Sequence, residues 1–285
     1  PNTDNYGRVE IFVKASDNQF SQRYTSATFG PVQVGSFVTP RSFPLKVKRW
    51  WSVRDRDILT LGQEYDAGEF AILSIPDRMS NPDGTGPDTF RLEQLSDDQA
   101  FVLVDAGGGN YYAKQRTTAG FIDTDSIGTT NPADVALDAP REVWAIFQHQ
   151  GTPTGQQFFM ENALGQTGGP NYYAVYPDTA QVGYNQGANN RSDPGGLPAN
   201  QFNAVRWYSD GDNSNLGTDV NGVNVHNNPT FGGIVVAPLA VGGSTKFKLR
   251  FPNAYWTDLF WVDGRLSAQE LSDLNAWAAA VISNY

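Results

Sequence analysis

The sequence predicts an all-β protein: an antiparallel β-sandwich with one C-terminal surface helix, preceded by a smaller N-terminal β module. Three observations predict it. The 285 residues include 29 glycines, 17 prolines and 13% aromatics, the composition of a turn-rich β protein. Short alternating or apolar runs recur between clusters of Gly, Asn, Asp and Pro. Helical periodicity with start signals is confined to the stretch from Leu266 to Val281.

The elements follow in order. Arg8 to Val13 alternates as a strand, and a Ser/Asn/Gln-rich stretch continues to Tyr24. Pro31 to Val38 is a second candidate strand. Leu45 to Val53 alternates with basic residues on one side, and Ile58–Leu61 and Glu69–Ile75 complete a small antiparallel set. Pro76 to Asp88 is dense in chain breakers and reads as a linker. The expected division is a β docking module over 1–80 and a sandwich over 89–285, the alternative being one enlarged sandwich.

In the second part, Ala100 to Asp105 is a strand ending at Gly107-Gly-Gly109. Glu142 to Phe147 is a core strand, with Gln157–Met160 and Tyr172–Tyr176 expected beside it. Loops 115–140, 161–171 and 184–200 are long and polar, the kind that gather at sandwich ends and carry binding. Strand residues from Phe202 run into a turn at Asp210-Gly211, and Asp219 to Val225 folds at Asn221-Gly222, the pair that best satisfies a type I′ turn. Lys246–Phe251 and Trp256–Val262 are the last strands. Ser267 and Glu270 then form a capping box, and Leu271, Leu274, Trp277 and Val281 make one apolar stripe in which Trp277 is expected to be largely buried.

Charge and composition exclude several functions. A net charge of −10 argues against nucleic-acid binding, which needs a basic face. No apolar run reaches the ~18 residues of a membrane-spanning helix. With no cysteine, thiol catalysis, thiolate metal sites and disulfides are all excluded, and two histidines cannot form a three-histidine site. The opening Pro1-Asn-Thr-Asp-Asn-Tyr6 has neither the basic nor the apolar region of a leader, so synthesis in a bacterial host cytoplasm without export is expected.

Four constellations carry candidate chemistry. Tyr112, Tyr173, Tyr184 and Asn185 stand near Gly- and Asn-rich loops and suit sugar stacking with amide hydrogen bonds. Neighbouring tyrosines in a strand point to opposite faces, so each adjacent pair contributes one ring. Arg41, Lys46, Lys48, Arg49 and Trp50 belong to a strip whose six cations and one acid leave +5 between 41 and 56, a docking surface for an acidic neighbour. Asp210 and Asp212 alternate like calcium ligands but lack the mid-loop glycine and the closing acid, so a hairpin turn is the expected reading and no cofactor is expected beyond that calcium alternative. No pair of carboxylates sits on one apolar strand at retaining-glycosidase spacing, so no catalytic residue is assigned.

The order of strand, Asp219–Val225 hairpin, last core strand and Gly264-Arg-Leu-Ser-Ala-Gln-Glu-Leu271 opening a closing helix resembles the concanavalin A-like/laminin G-like superfamily. The resemblance implies a jelly-roll sandwich, a fold shared by sugar binders, glycanases, adhesion modules and phage virion proteins. Arg91-Leu-Glu93, Gln148-His149 and Tyr184-Asn-Gln186 are also similar in order to motifs of alginate-lyase-like jelly rolls, but without the second Arg and the Lys of that pattern. Together these features look like a non-enzymatic bacteriophage virion protein, a capsid decoration or tail and receptor-binding protein. Its lectin-like domain would face outward from the virion surface and bind host glycans, with other virion proteins and further copies of itself as partners. The alternative is a bacterial extracellular carbohydrate-binding module or polysaccharide lyase.

Overall fold

The computed structural model describes residues 11–14, 20–24, 38–81, 84, 91–93, 101–115, 141–149, 157–163, 171–176, 181–186, 189–192, 197–198, 200–209, 216–228, 246–249 and 254–285. The chain divides into two compact units, Pro1–Phe37 and Val38–Tyr285. In the first, β1 (Ile11–Lys14) pairs antiparallel with β2 (Phe20–Tyr24), Ile11 opposite Tyr24. The polar stretch before Tyr24 thus contributes a strand that its composition conceals. The expected strand at 31–38 lies almost wholly outside the described residues.

The second unit holds an all-β antiparallel fold with one C-terminal helix. Its first strands are β3 (Val47–Ser52), β4 (Thr60–Asp66), β5 (Glu69–Ile75) and the short β6 (Leu92–Glu93). The hairpin β7 (Phe101–Gly107) and β8 (Asn110–Gln115) and the long β9 (Arg141–His149) follow. Next come β10 (Gln157–Ala163), β11 (Asn171–Tyr176), β12 (Gln181–Gln186) and β13 (Asn189–Ser192). β14 (Asn203–Ser209), β15 (Leu216–Val220), β16 (Val223–Asn228), β17 (Lys246–Leu249), β18 (Ala254–Asp263) and α1 (Ala268–Ile282) complete it.

Eleven strands form one sheet in the order β16-β15-β14-β9-β18-β8-β7-β5-β4, with β3 on β18 and β6 on β5. β18 organises it. One edge pairs with β9 along its whole length, while the other is shared between β8, at Tyr255 and Trp256, and β3, from Asp258 to Val262. The register shift at Thr257 against β9 coincides with that change of partner.

This pairing moves the expected boundary. Residues 38–80 build the same sheet as β9 and β18, so the contact division falls at 37/38 rather than near 80. Nor is the stretch after Ile75 a linker where it is described. Pro76, Asp77 and Asn81 are buried, and the Asp77 carboxylate accepts hydrogen bonds from the Trp50 and Met79 amides, both at 3.0 Å. A chain-breaking composition marks a turn; whether that turn is a linker depends on what its acids bond, and these bond the core.

Both faces of the central strands are buried. On one face Trp51, Trp256, Leu259 and Trp261 join Val143, Ala145, Phe147, Val205 and Trp207 in one cluster. On the other, Val47, Trp50, Trp144, Phe260 and Val262 meet Leu266 and Leu274, and Ile146, Phe202 and Ala204 meet Ala278 and Val281. The capping box forms as the sequence predicts, Ser267 Oγ accepting from the Glu270 amide while Glu270 accepts from the Ser267 amide. The buried stripe is Leu274, Ala278 and Val281. Trp277 is only half-buried, against expectation, because Ala278 takes the position nearest the sheet; its ring lies edge-on to Trp50 and Phe260, at 5.9 and 5.7 Å.

The five-stranded sheet runs β13-β12-β11-β10-β17. β10 and β11 pair with each other here instead of beside β9, whose neighbours are β14 and β18.

Candidate functional site

The site builds from a row across β9, β18 and β8. Gln148 is the Cα partner of Tyr255, and Tyr255 that of Lys114, so a carboxamide, a phenol and an ammonium group occupy one row of one face. Tyr112, two residues before Lys114, shares that face. Its ring stacks on Tyr255 with centroids 4.6 Å apart and planes at 24°. Phe202 and Tyr285 support the pair from the helix side: Phe202 lies 6.1 Å from Tyr112 and 4.7 Å from Tyr285, whose hydroxyl donates to the Tyr111 carbonyl at 2.6 Å. Lys114 pairs with Glu69 of β5.

The two tyrosines, Gln148 and Lys114 are all half-buried: fixed in place, yet reachable by solvent. Burial above all, then Tyr255 and Glu69, raises the Tyr112 pKa above the usual phenol value, so its hydroxyl stays protonated at neutral pH. The arrangement offers aromatic surface, a carboxamide, an ammonium group and a carboxylate side by side. That combination can cover the C–H face of a pyranose while hydrogen-bonding its hydroxyls.

Of the residues singled out for glycan contact, Tyr112 lies in this site. Tyr173 and Tyr184 are direct partners across β11 and β12, and Asn185 partners Tyr172. Tyr255, Lys114 and Glu69 went unnoticed in the sequence because they are contributed by strands far apart in the chain. The alternation of Tyr255 with Trp256 at the start of a strand was the available signal. Gln148 stands here with the sheet row and not with Tyr184, which belongs to β12; His149 is the Cα partner of Ala254, and Arg91 is exposed before β6.

Of the residues expected to dock a partner, Trp50, Arg49 and Lys46 are engaged within the fold. Trp50 is 5% exposed, and its indole donates to Asp258 at 2.9 Å; it is a core residue. A bulge at Lys48 is the reason: Val47 faces Val262 while Arg49 faces Trp261, so the extra residue turns Val47 and Trp50 to the same, helix-covered side. Arg49 lies 3.5 Å from the buried Asp77, whose pKa is raised by burial, and Lys46 donates to the Arg265 carbonyl at 2.9 Å. Lys48 stands 3.8 Å from Asp263, and Arg41 is exposed. Asp210 and Asp212 lie outside the described residues.

A second polar cluster anchors the helix entrance. Arg206 forms a two-pronged pair with Glu142, both bonds 2.8 Å, and also binds Asp219. Glu142 further accepts from the Leu266 amide at 3.0 Å and lies 3.3 Å from Arg265. Two arginines against two carboxylates balance the charge. The cluster fixes the strand-to-helix turn; its carboxylates are consumed by these bonds.

No family model and no curated protein matches the chain. Among solved structures it is similar to domain 4 of an extracellular GH43 arabinanase from Geobacillus stearothermophilus, solved with arabinotriose. There the identity is 12% and the TM-score 0.47, over 81% of this chain and 98% of that one. It is also similar to Trypanosoma rangeli sialidase, at 9% identity and TM-score 0.42 over 82% of this chain and 33% of that one. A NanB sialidase variant from Streptococcus pneumoniae gives 16% and 0.38, over 47% and 23%. The chain thus spans about a quarter to a third of the sialidases' length. These likenesses overturn the expectation that the chain is not an enzyme, since the similar structures are glycoside hydrolases or a domain of one; their identities and TM-scores are too low to assign it an activity or a catalytic residue.

Proposed function

We propose that this chain is a carbohydrate-binding domain of lectin-like β-sandwich fold, with Tyr112 and Tyr255 as its stacking platform. The carrying observation is that the two half-buried rings stack beside Gln148 and the Lys114–Glu69 pair on one face of the large sheet. Preorganised rings and planar polar groups suit a hydroxyl-rich ligand, because little side-chain entropy remains to be lost on binding. The setting we infer is a bacterial extracellular module rather than the outward domain of a bacteriophage virion protein. Docking of the N-terminal part on a virion would use the basic strip, and Trp50, Arg49 and Lys46 of that strip are held by internal contacts.

The test is a glycan array followed by calorimetry on the best ligand. Tyr112→Ala and Tyr255→Ala should each weaken binding roughly tenfold, the equivalent of about 1.4 kcal/mol, with Tyr112→Phe close to the parent. Near-UV circular dichroism checks that each variant is folded. Array silence, or an affinity unmoved by both alanine variants, would refute the reading.

A further inference from the structure

Charge is distributed unevenly around the Tyr112–Tyr255 platform. The hairpins β4–β5 and β7–β8 lead into it, over residues 60–75 and 101–115. Together they carry four carboxylates, Glu64, Asp66, Glu69 and Asp105, and one cation, Lys114. Asp66 is the Cα partner of Glu69, and Asp105 that of Tyr111, the neighbour of Tyr112. Turn bonds hold two of these acids in place: Glu64 accepts from the Gly68 amide at 2.8 Å, and Asp105 from the Gly107 amide at 2.7 Å.

The cations that reach the ring cluster are already engaged. Lys114 is paired with Glu69, whose charge also acts on the Tyr112 hydroxyl. Arg54, whose charge reaches the Tyr285 hydroxyl, donates to the fully buried Asp258 through Nε at 2.7 Å and Nη2 at 3.4 Å. Burial keeps the phenols of Tyr112 and Tyr285 protonated, so the rings add no charge of their own.

A carboxylate or sulfate on a ligand would therefore meet, among the described residues of these hairpins, more acids than cations. Its repulsion acts over the ~8–10 Å that physiological salt leaves unscreened. The chain's net charge of −10 opposes its approach as well. A sugar hydroxyl meets no such penalty. It is donor and acceptor at once, and can use the Lys114 ammonium, the Glu69 carboxylate and the Gln148 carboxamide alike.

Resting on the stacking reading, we propose that the platform selects neutral glycans and rejects uronic, sialylated and sulfated ones. Glu69 is the specificity-determining residue, because it occupies Lys114 and sets a repulsive charge beside Tyr112.

The experiment presents the full chain with glycan pairs alike except at C6, glucosides against glucuronides and galactosides against galacturonides. Sialylated and sulfated glycans stand on the same array. Neutral members should bind roughly tenfold or more tightly, since like charges set side by side are strongly disfavoured. Salt near 1 M, where screening shortens to ~3 Å, should narrow that gap. Glu69→Gln should narrow it by releasing Lys114, and Asp66→Asn, at an exposed position, should narrow it less. A preference for acidic members, or equal binding of both, in glycans whose binding Tyr112→Ala weakens would overturn the proposal and leave the stacking platform standing. So would a neutral preference unmoved by salt and by both substitutions, which would mark shape rather than charge as the selector. Silence across the array would overturn both.

Discussion

Arg206 and Glu142 show how much one buried pair can carry. Glu142 is fully buried and takes bonds from Arg206, from the Leu266 amide and, at 3.3 Å, from the Trp144 indole. Removing its charge breaks the two-pronged, fully buried pair and leaves Asp219 as the one carboxylate facing both Arg206 and Arg265, so Glu142→Gln should cost about 3–5 kcal/mol. Asp219→Asn should cost less, since Glu142 still neutralises Arg206; urea unfolding of the two variants measures the difference, and equal losses would contradict it. Neither residue stood out in the sequence. Glu142 looked like the polar first residue of an apolar strand, and nothing local reveals that Arg206, 64 residues away, would meet it. Tyr112 was legible as an aromatic beside a glycine-rich turn, whereas its stacking partner was not, because only the sheet order joins β8 to β18.

The elements were more legible than their neighbours. The capping box, the Asn221-Gly222 turn and strand β5 lie where local pattern places them, because each is decided by contacts within a few residues. Burial along α1 was half legible: the stripe at Leu274 and Val281 holds, but a helix crossing a twisted sheet presents Ala278 where a straight seam would present Trp277. The two positions should therefore respond in proportion to burial, not to side-chain size. Leu274→Ala removes a fully buried side chain and should cost about 2–5 kcal/mol. Trp277→Ala, whose ring is only half-buried, should cost no more despite the larger group removed. Thermal melts of both variants decide this. A clearly larger loss at Trp277 would mean that its edge contacts with Trp50 and Phe260 dominate the helix interface.

At the scale of the molecule, the distinction between a docking module and a sandwich can be tested by cutting the chain. Composition alone drew the line near residue 80, since a stretch dense in Pro, Gly and Asp looks the same whether it links domains or turns within one. The pairing of β3 with β18 draws it at 37/38 instead. A fragment of residues 38–285 keeps every strand of the large sheet and should unfold in one cooperative transition. A fragment starting at 89 loses Trp50, Trp51, Val53, Ile72 and Ile75, all buried. At roughly 1.5–3 kcal/mol each, their loss matches or exceeds the ~5–15 kcal/mol by which a native domain is stable. It also leaves the β18 edge from Asp258 to Val262 without its ladder partner, adding unpaired backbone groups to the deficit. The shorter fragment should accordingly lack near-UV circular dichroism and a cooperative melt, and should aggregate through that open edge. A sharp melt from residues 89–285 would show that β3 is an accessory strand, and would return the boundary to where the breakers of 76–88 first placed it.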